Sequence, residues 1–116
     1  MTKALIVQTN GEMQWADIET DLSTLNRLVG GYIELVYVNP GVHAYINEEG
    51  KILGLPINPV ATFLSGLAGV DVLCGTAVFF GSGNMPEEGD LPDEWSEERL
   101  LPYVRRNLLG IEDDDA

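Results

Sequence analysis

The sequence predicts an α+β fold: a mostly antiparallel sheet of five or six strands, with two short helices and a C-terminal helical arm. Turn pairs at Asn10-Gly11 and Pro40-Gly41 separate segments that are typical of strands, which indicates two hairpins. Two other segments have apolar residues at helical spacing, each preceded by a residue that can cap a helix. The chain has 116 residues, a length typical of one domain.

The strands follow from short apolar runs and the turns between them. The first hairpin is predicted over residues 3–18, and the second joins residues 32–39 to residues 42–47, both rich in aromatic and β-branched side chains. A turn ending in glycine then predicts a third strand of this meander over residues 51–53. Residues 70–80 are the most apolar segment and predict a central strand that is interrupted by one glycine.

Two short helices are predicted from their caps and stops. The first is capped by Asp21 or Ser23 and ended by Gly30-Gly31. Asn58-Pro59 begins the second, because Asn caps helices well and Pro suits the first helical position, and Gly69 ends it. Apolar residues at helical spacing support both: Leu22, Leu25, Leu28 and Val29, then Val60, Phe63, Leu64 and Leu67.

The last part of the chain differs in composition. Residues 86–116 carry 11 acidic and 3 basic side chains, a net −8. An acidic, Pro/Gly-rich segment precedes a helical stripe, in which Pro102 predicts a kink or a division into two helices. We therefore divide the chain into an α+β domain, residues 1–91, and an acidic helical arm, residues 92–116. The stripe consists of Leu100, Val104, Leu108 and Ile111.

Charge and cysteine content exclude several classes of protein. The formal net charge is −13, which disfavours direct binding to nucleic acid or to anionic membranes. The lone Cys74 cannot form an intramolecular disulfide, and no secretory signal or transmembrane run is recognisable. These features predict a cytoplasmic protein.

The residues that would carry catalysis are sparse. His43 is the only histidine, which excludes sites that need two imidazoles, and we expect it to be an exposed or hydrogen-bonded structural residue. Gly81-Ser82-Gly83 lacks the third glycine of a dinucleotide loop, so a strand-end turn is the favoured interpretation. Cys74 is expected to be a small buried hydrophobe. The sequence therefore predicts no catalytic residue, no metal, no cofactor and no enzyme.

Two groups of residues are candidates for binding. Neutral polar residues near predicted strand ends and helix starts could hold a small polar ligand, although such residues also form turns and caps. They are Asn47, Asn58, Thr62 and Thr76. A second group could form a protein-interaction surface on the arm, with carboxylates beside apolar residues. It consists of Glu94, Glu97, Glu98, Leu100, Val104 and Leu108.

Three stretches of the chain resemble a known family. They are Gly30-Gly31-Tyr32-Ile33-Glu34, the stretch from Asn47 to Thr62 that includes Gly54-Leu55-Pro56-Ile57-Asn58-Pro59, and Cys74-Gly75-Thr76-Ala77-Val78 with the later Glu87-Glu88-Gly89-Asp90. In order and spacing they are similar to an uncharacterised family of small domains common in actinobacteria and their phages. The resemblance supplies no catalytic residues. It implies a bacterial or phage cytosolic setting, in which small proteins often counter host defence or bind partners.

Two functions follow as hypotheses. The first is a non-enzymatic binding protein, encoded by a phage or mobile element, that sequesters a small polar ligand such as a nucleotide immune signal. The alternative is an acidic protein-interaction or DNA-mimicking inhibitor that acts through its C-terminal carboxylates. Unpaired sheet edges and the apolar arm also predict a homo-oligomer, with a dimer favoured.

Overall fold

A computed structural model describes residues 1–39, 41–108 and 110. The elements are β1 (Thr2–Val7), β2 (Met13–Ile18), α1 (Leu22–Val29), β3 (Ile33–Asn39), β4 (Val42–Asn47), α2 (Pro59–Leu64), β5 (Ala77–Gly81), a short 3₁₀ helix (Asp93–Trp95) and α3 (Glu97–Asn107). The strands form one antiparallel sheet in the order β2-β1-β5-β4-β3. The predicted α+β class and five-stranded antiparallel sheet are confirmed.

Both predicted hairpins form, one on each side of Asn10-Gly11 and the other between β3 and β4. β1 pairs with β2 from Thr2 opposite Ile18 to Val7 opposite Met13. β3 pairs with β4, with one irregularity before Asn39. β5 lies between the hairpins and pairs with β1 on one side and β4 on the other, so it joins two local hairpins into one sheet.

The two predicted helix starts are confirmed by their hydrogen bonds. Asp21 Oδ2 accepts from the Thr24 N–H at 3.1 Å at the start of α1, and Gly30 ends that helix in the left-handed region. Asn58 caps α2, where its Oδ1 accepts from the Ala61 N–H at 3.0 Å. α2 ends at Leu64, earlier than predicted, because the chain turns there and the Leu67 N–H donates to the Thr62 carbonyl.

Two strand predictions need correction. Residues 51–53 form turns instead of a third strand of the meander, because local bonds such as Leu53 N–H to the Glu49 carbonyl occupy their backbone. Only the end of the apolar segment 70–80 is a strand, β5. Before it, Gly75 adopts φ +87°, and Cys74 forms an isolated bridge with Ile57.

Helices and apolar side chains cover the sheet on both faces. α1 lies on one face, where Leu25 and Val29 cluster with Ile6, Val78 and Phe80. The alternate residues of the same strands point to the other face and form a larger cluster with α2, the 3₁₀ helix and α3. This cluster includes Leu5, Val7, Ala44, Phe79, Val60, Leu64, Trp95, Leu100 and Val104.

The C-terminal segment packs on the sheet of its own chain. The Trp95 and Phe79 ring centroids are 5.4 Å apart, and the Trp15 indole N–H donates to the Trp95 carbonyl at 2.7 Å. α3 runs as one helix through Pro102, which lies in its second turn, so the predicted division into two helices is wrong. Residues on both sides of position 91 share one core, and the proposed domain boundary there stays a prediction. Ile111 lies outside the described residues.

Candidate functional site

The side chains of all four predicted ligand residues form hydrogen bonds within the protein. Asn58 is fully buried, and besides capping α2 it donates to the Val7 carbonyl at 3.0 Å and the Gly75 carbonyl at 2.9 Å. The Thr62 hydroxyl donates to the Asn58 carbonyl and accepts from the Leu73 N–H. These bonds tie β1, α2 and the segment before β5 together. A ligand role for Asn58 and Thr62 stays a prediction that these bonds do not favour.

Thr76 and Asn47 lie apart from that cluster. The Thr76 hydroxyl donates to Gln8 Oε1 at 2.8 Å, which links the residue after β1 to the residue before β5. Asn47, which is buried, donates to the Val29 carbonyl at 3.2 Å and accepts from the Glu49 N–H at 2.7 Å. The structure therefore does not gather the four predicted residues around one ligand. Only Asn47 borders the cavity described next.

A cavity of about 440 Å³ lies between the sheet edge formed by β3 and β4 and the loop before β5. This volume falls within the range that small-ligand pockets occupy. Its floor is apolar, and its wall includes the buried Cys74 thiol. The apolar lining consists mainly of Val36, Ile46, Leu67, Val72 and Leu73. The arrangement suits a ligand with a flat or aliphatic part inside and a polar part at the mouth.

Charged side chains surround this cavity. Lys51 Nζ lies 2.5 Å from Asp71 Oδ1, and both side chains are largely exposed. The hydrogen bond from Lys51 lowers the pKa of Asp71 and, reciprocally, raises the pKa of Lys51. Glu34 and Glu48 also border the cavity, so three carboxylates surround one ammonium group. The mouth is consequently negative and favours cationic or uncharged ligands over phosphates.

The predicted interaction residues divide into an exposed and a packed group. Glu94, Glu97 and Glu98 are exposed and stay available to a partner. Leu100 and Val104 are 6% and 1% exposed because they face the sheet of their own chain, and Leu108 packs against the same cluster. The apolar stripe therefore holds α3 on the domain, and only the carboxylates present a surface.

The sequence does not predict the buried polar cluster that lies on the α1 face of the sheet. His43 is fully buried, and its Nε2 lies 2.5 Å from Glu88 Oε1 while its Nδ1 lies 2.6 Å from Ser82 Oγ. The Tyr45 hydroxyl donates to Glu88 Oε2 at 2.8 Å. Burial, followed by this bond to Glu88, raises the pKa of Tyr45 well above its usual value, so Tyr45 remains a donor. We call Ser82, His43, Glu88 and Tyr45 the His43 cluster.

The His43 cluster is assembled by the loop that follows β5. This loop returns to the sheet at Gly89, whose N–H donates to the Gly81 carbonyl and whose carbonyl accepts from the Gly81 N–H. A Cβ at Gly81 would lie 2.0 Å from the Asp90 carbonyl oxygen, so only glycine allows this approach. The loop return brings Glu88 to His43, 45 residues away along the chain. The sequence signals for this cluster are the lone His43 and Gly81-Ser82-Gly83, for which a strand-end turn is the favoured interpretation.

Two further properties bear on the class of protein. Within the described residues, no group of three or more His, Cys, Asp or Glu side chains could hold a metal ion. No helix in that part of the chain combines the length and hydrophobicity needed to cross a membrane.

The antiparallel sheet and its helices define a small α+β domain. Residues 1–101 match a family described as a domain of unknown function, DUF3846, and the chain belongs to this family. This agrees with the resemblance to an uncharacterised family, and the match extends beyond residue 91 into α3. No curated protein and no solved structure matches the chain.

Proposed function

We propose that this protein binds a small polar ligand and holds it in the cavity between the β3–β4 edge and the loop before β5. The observation that carries the proposal is a cavity of about 440 Å³ with an apolar floor and a charged mouth. Binding would bury the apolar part of the ligand on Val36, Ile46 and Leu73, and hydrogen bonds at the mouth would set its orientation.

The charges at the mouth refine the ligand class that the sequence suggests. A nucleotide would place its base on the apolar floor. Its phosphates would then be repelled by Glu34, Glu48 and Asp71, and among the lining residues only Lys51 would attract them. We therefore favour a nucleoside or an organic amine as the ligand. Sequestration of an immune signal by a phage or mobile-element protein extends this proposal, and it is supported by the family resemblance alone.

Native mass spectrometry of protein purified gently from cells tests the proposed cavity. Wild-type protein should carry an added mass of a small molecule that denaturation releases. Val72→Trp should lose it, because Val72 lines the cavity and an indole there would fill the space. Val70→Trp is the matched control, since Val70 is 83% exposed and does not line the cavity. An added mass retained by Val72→Trp would contradict the proposed site.

A second candidate function is the acidic interaction surface. It is supported by the exposed Glu94, Glu97 and Glu98, which α3 and the 3₁₀ helix hold in fixed positions on the domain. Beside them lies a cleft of about 370 Å³ whose lining includes Phe63 and Tyr103. Their ring centroids are 5.8 Å apart, and such aromatic faces can bind the cationic side chains of a partner.

Charge-neutral variants test the acidic surface. A partner captured by the wild-type protein should be lost with the triple variant Glu94→Gln/Glu97→Gln/Glu98→Gln, and its binding should weaken as salt rises. The control neutralises three exposed glutamates elsewhere and should retain the partner: Glu12→Gln/Glu19→Gln/Glu49→Gln. Equal loss with both triple variants would indicate attraction by net charge and would contradict a specific surface.

We extend the proposal to a homodimer. β2 and β3 each pair with one neighbour only in the described sheet, so each offers an edge to a second copy. Tyr37 on β3 is 73% exposed and would be covered by such a contact.

A further inference from the structure

With an ionised Glu88 carboxylate and a neutral His43 imidazole, each hydrogen bond in the His43 cluster has one possible direction. An ionised carboxylate only accepts, so both oxygens of Glu88 are accounted for by the Tyr45 hydroxyl and the His43 Nε2–H. In the neutral imidazole the proton on Nε2 leaves Nδ1 as an acceptor. The Ser82 hydroxyl, 2.6 Å from Nδ1, then donates its proton to this nitrogen.

The hydrogen-bonded series of Ser82, His43 and Glu88 is the arrangement that activates a serine as a nucleophile. A nucleophile needs a base within about 2.6–3.2 Å and a third group that orients the base. Ser82 with His43 and Glu88 meets both requirements, with Nδ1 facing the serine and Nε2 facing the carboxylate. Phe80 stacks on the imidazole with ring centroids 6.1 Å apart, which keeps the ring in this orientation.

The residues of the His43 cluster differ in their exposure. Ser82 is partly exposed, whereas the side chain of Glu88 is 11% exposed and that of His43 is fully buried. The backbone N–H groups of Gly83 and Asn84 directly follow Ser82 and donate no hydrogen bond within the described residues. In the proposed reaction, these N–H groups would stabilise the negative oxygen of a substrate toward which they point.

We infer that Ser82 is a catalytic nucleophile for acyl transfer from a small ester or thioester, with His43 as its base and Glu88 as the residue that positions His43. This activity goes beyond the proposed binding function and uses the opposite face of the sheet from the cavity beside β3 and β4. The loop that carries Ser82 lines an open depression through Asn84, Pro86, Glu87 and Glu88. Ser82 itself is not part of this lining, so a substrate would have to reach from the depression to the Ser82 hydroxyl. The carboxylates of the depression favour an uncharged or cationic acyl compound.

The reaction balances without a cofactor. Ser82 Oγ attacks the carbonyl carbon while its proton passes to His43 Nδ1, and the leaving alcohol or thiol takes that proton as its bond to the acyl carbon breaks. Once Ser82 is acylated, its oxygen no longer donates to His43 Nδ1, and a water that enters between them attacks the acyl-serine and gives a proton to Nδ1. Ser82 recovers that proton as it leaves. The sum is hydrolysis of the ester to an acid and an alcohol, or of the thioester to an acid and a thiol.

Covalent labelling of the full chain with diisopropyl fluorophosphate tests this inference. Ser82 Oγ should displace fluoride and gain one diisopropylphosphoryl group, which mass spectrometry of the digested protein would locate on residue 82. Ser82→Ala should abolish the adduct. Ser23→Ala, a change at an exposed serine on α1, should label as the wild type does.

Glu88→Gln distinguishes a positioned base from a merely reactive surface serine. Its folding would be checked by circular dichroism. The folded variant should label at least tenfold more slowly, and the pH profile of its labelling rate should change, because the amide no longer fixes the imidazole as the carboxylate does. Two results would overturn the inference: no adduct on Ser82 while a known serine hydrolase in the same tube is labelled, or equal labelling rates for wild type and folded Glu88→Gln.

Discussion

Asn58→Ala should lower the free energy of unfolding by about 4 kcal/mol, the sum of a lost helix cap and two buried carbonyls left without their donor. The cap bond is that from the Ala61 N–H, and the carbonyls are those of Val7 and Gly75. All three bonds are fully buried, so water cannot replace the missing amide. Urea denaturation of the variant and the wild-type protein measures this loss.

Two further variants separate the causes of this effect. Asn58→Asp keeps the cap acceptor but presents an oxygen to the Val7 and Gly75 carbonyls, so it should also be strongly destabilising. Asn107→Ala removes an exposed asparagine that donates to the Tyr103 carbonyl at the end of α3, and it should change stability by less than about 0.5 kcal/mol. A loss below about 1 kcal/mol for Asn58→Ala would show that Asn58 is not the link described above.

Glu88→Ala should cost about 3 kcal/mol of unfolding free energy, because it leaves two donors without an acceptor in a buried cluster. These donors are the Tyr45 hydroxyl and the Nε2–H of the fully buried His43. The loop that follows β5 would also lose a contact that holds it on the sheet. Thermal unfolding followed by circular dichroism measures the effect.

The neighbouring glutamate provides the control for Glu88. Glu87 is exposed, so Glu87→Ala makes the same change one residue away and should alter stability by less than about 0.5 kcal/mol. Similar losses for the two variants would contradict a specific role of Glu88 in the His43 cluster. This stability measurement is independent of whether Ser82 reacts.

Local signals account for the parts of the fold that the sequence predicts. The first hairpin and the two helix starts depend on residues only a few positions apart in the chain. Local turn geometry and cap hydrogen bonds therefore predict them at Asn10-Gly11, Asp21 and Asn58-Pro59. Residues 51–53 were misassigned because their composition suits a strand, but no neighbouring strand supplies the pairing, and backbone bonds within the turn take its place.

The candidate sites depend on contacts between distant parts of the chain. The cavity forms where β3, β4 and the loop before β5 come together. No short sequence motif predicts that these distant segments lie side by side. The His43 cluster requires Ser82 and Glu88 to return to a residue 39 and 45 positions away. The sequence marks Asn58 and Thr62 as candidates, but the same polar atoms serve helix caps and ligands equally well, and only the structure shows which groups they bond.

Thermal unfolding in the presence of adenosine, guanosine, spermidine or putrescine tests the proposed ligand cavity most directly. At ten times its Kd, a ligand of the folded state adds about 1.4 kcal/mol, which raises Tm by roughly 5 °C. We expect at least one nucleoside or amine to give this rise with wild type and Val70→Trp and none with Val72→Trp, which fills the cavity. No rise with any of the four compounds, or an equal rise with Val72→Trp, would contradict ligand binding in this cavity.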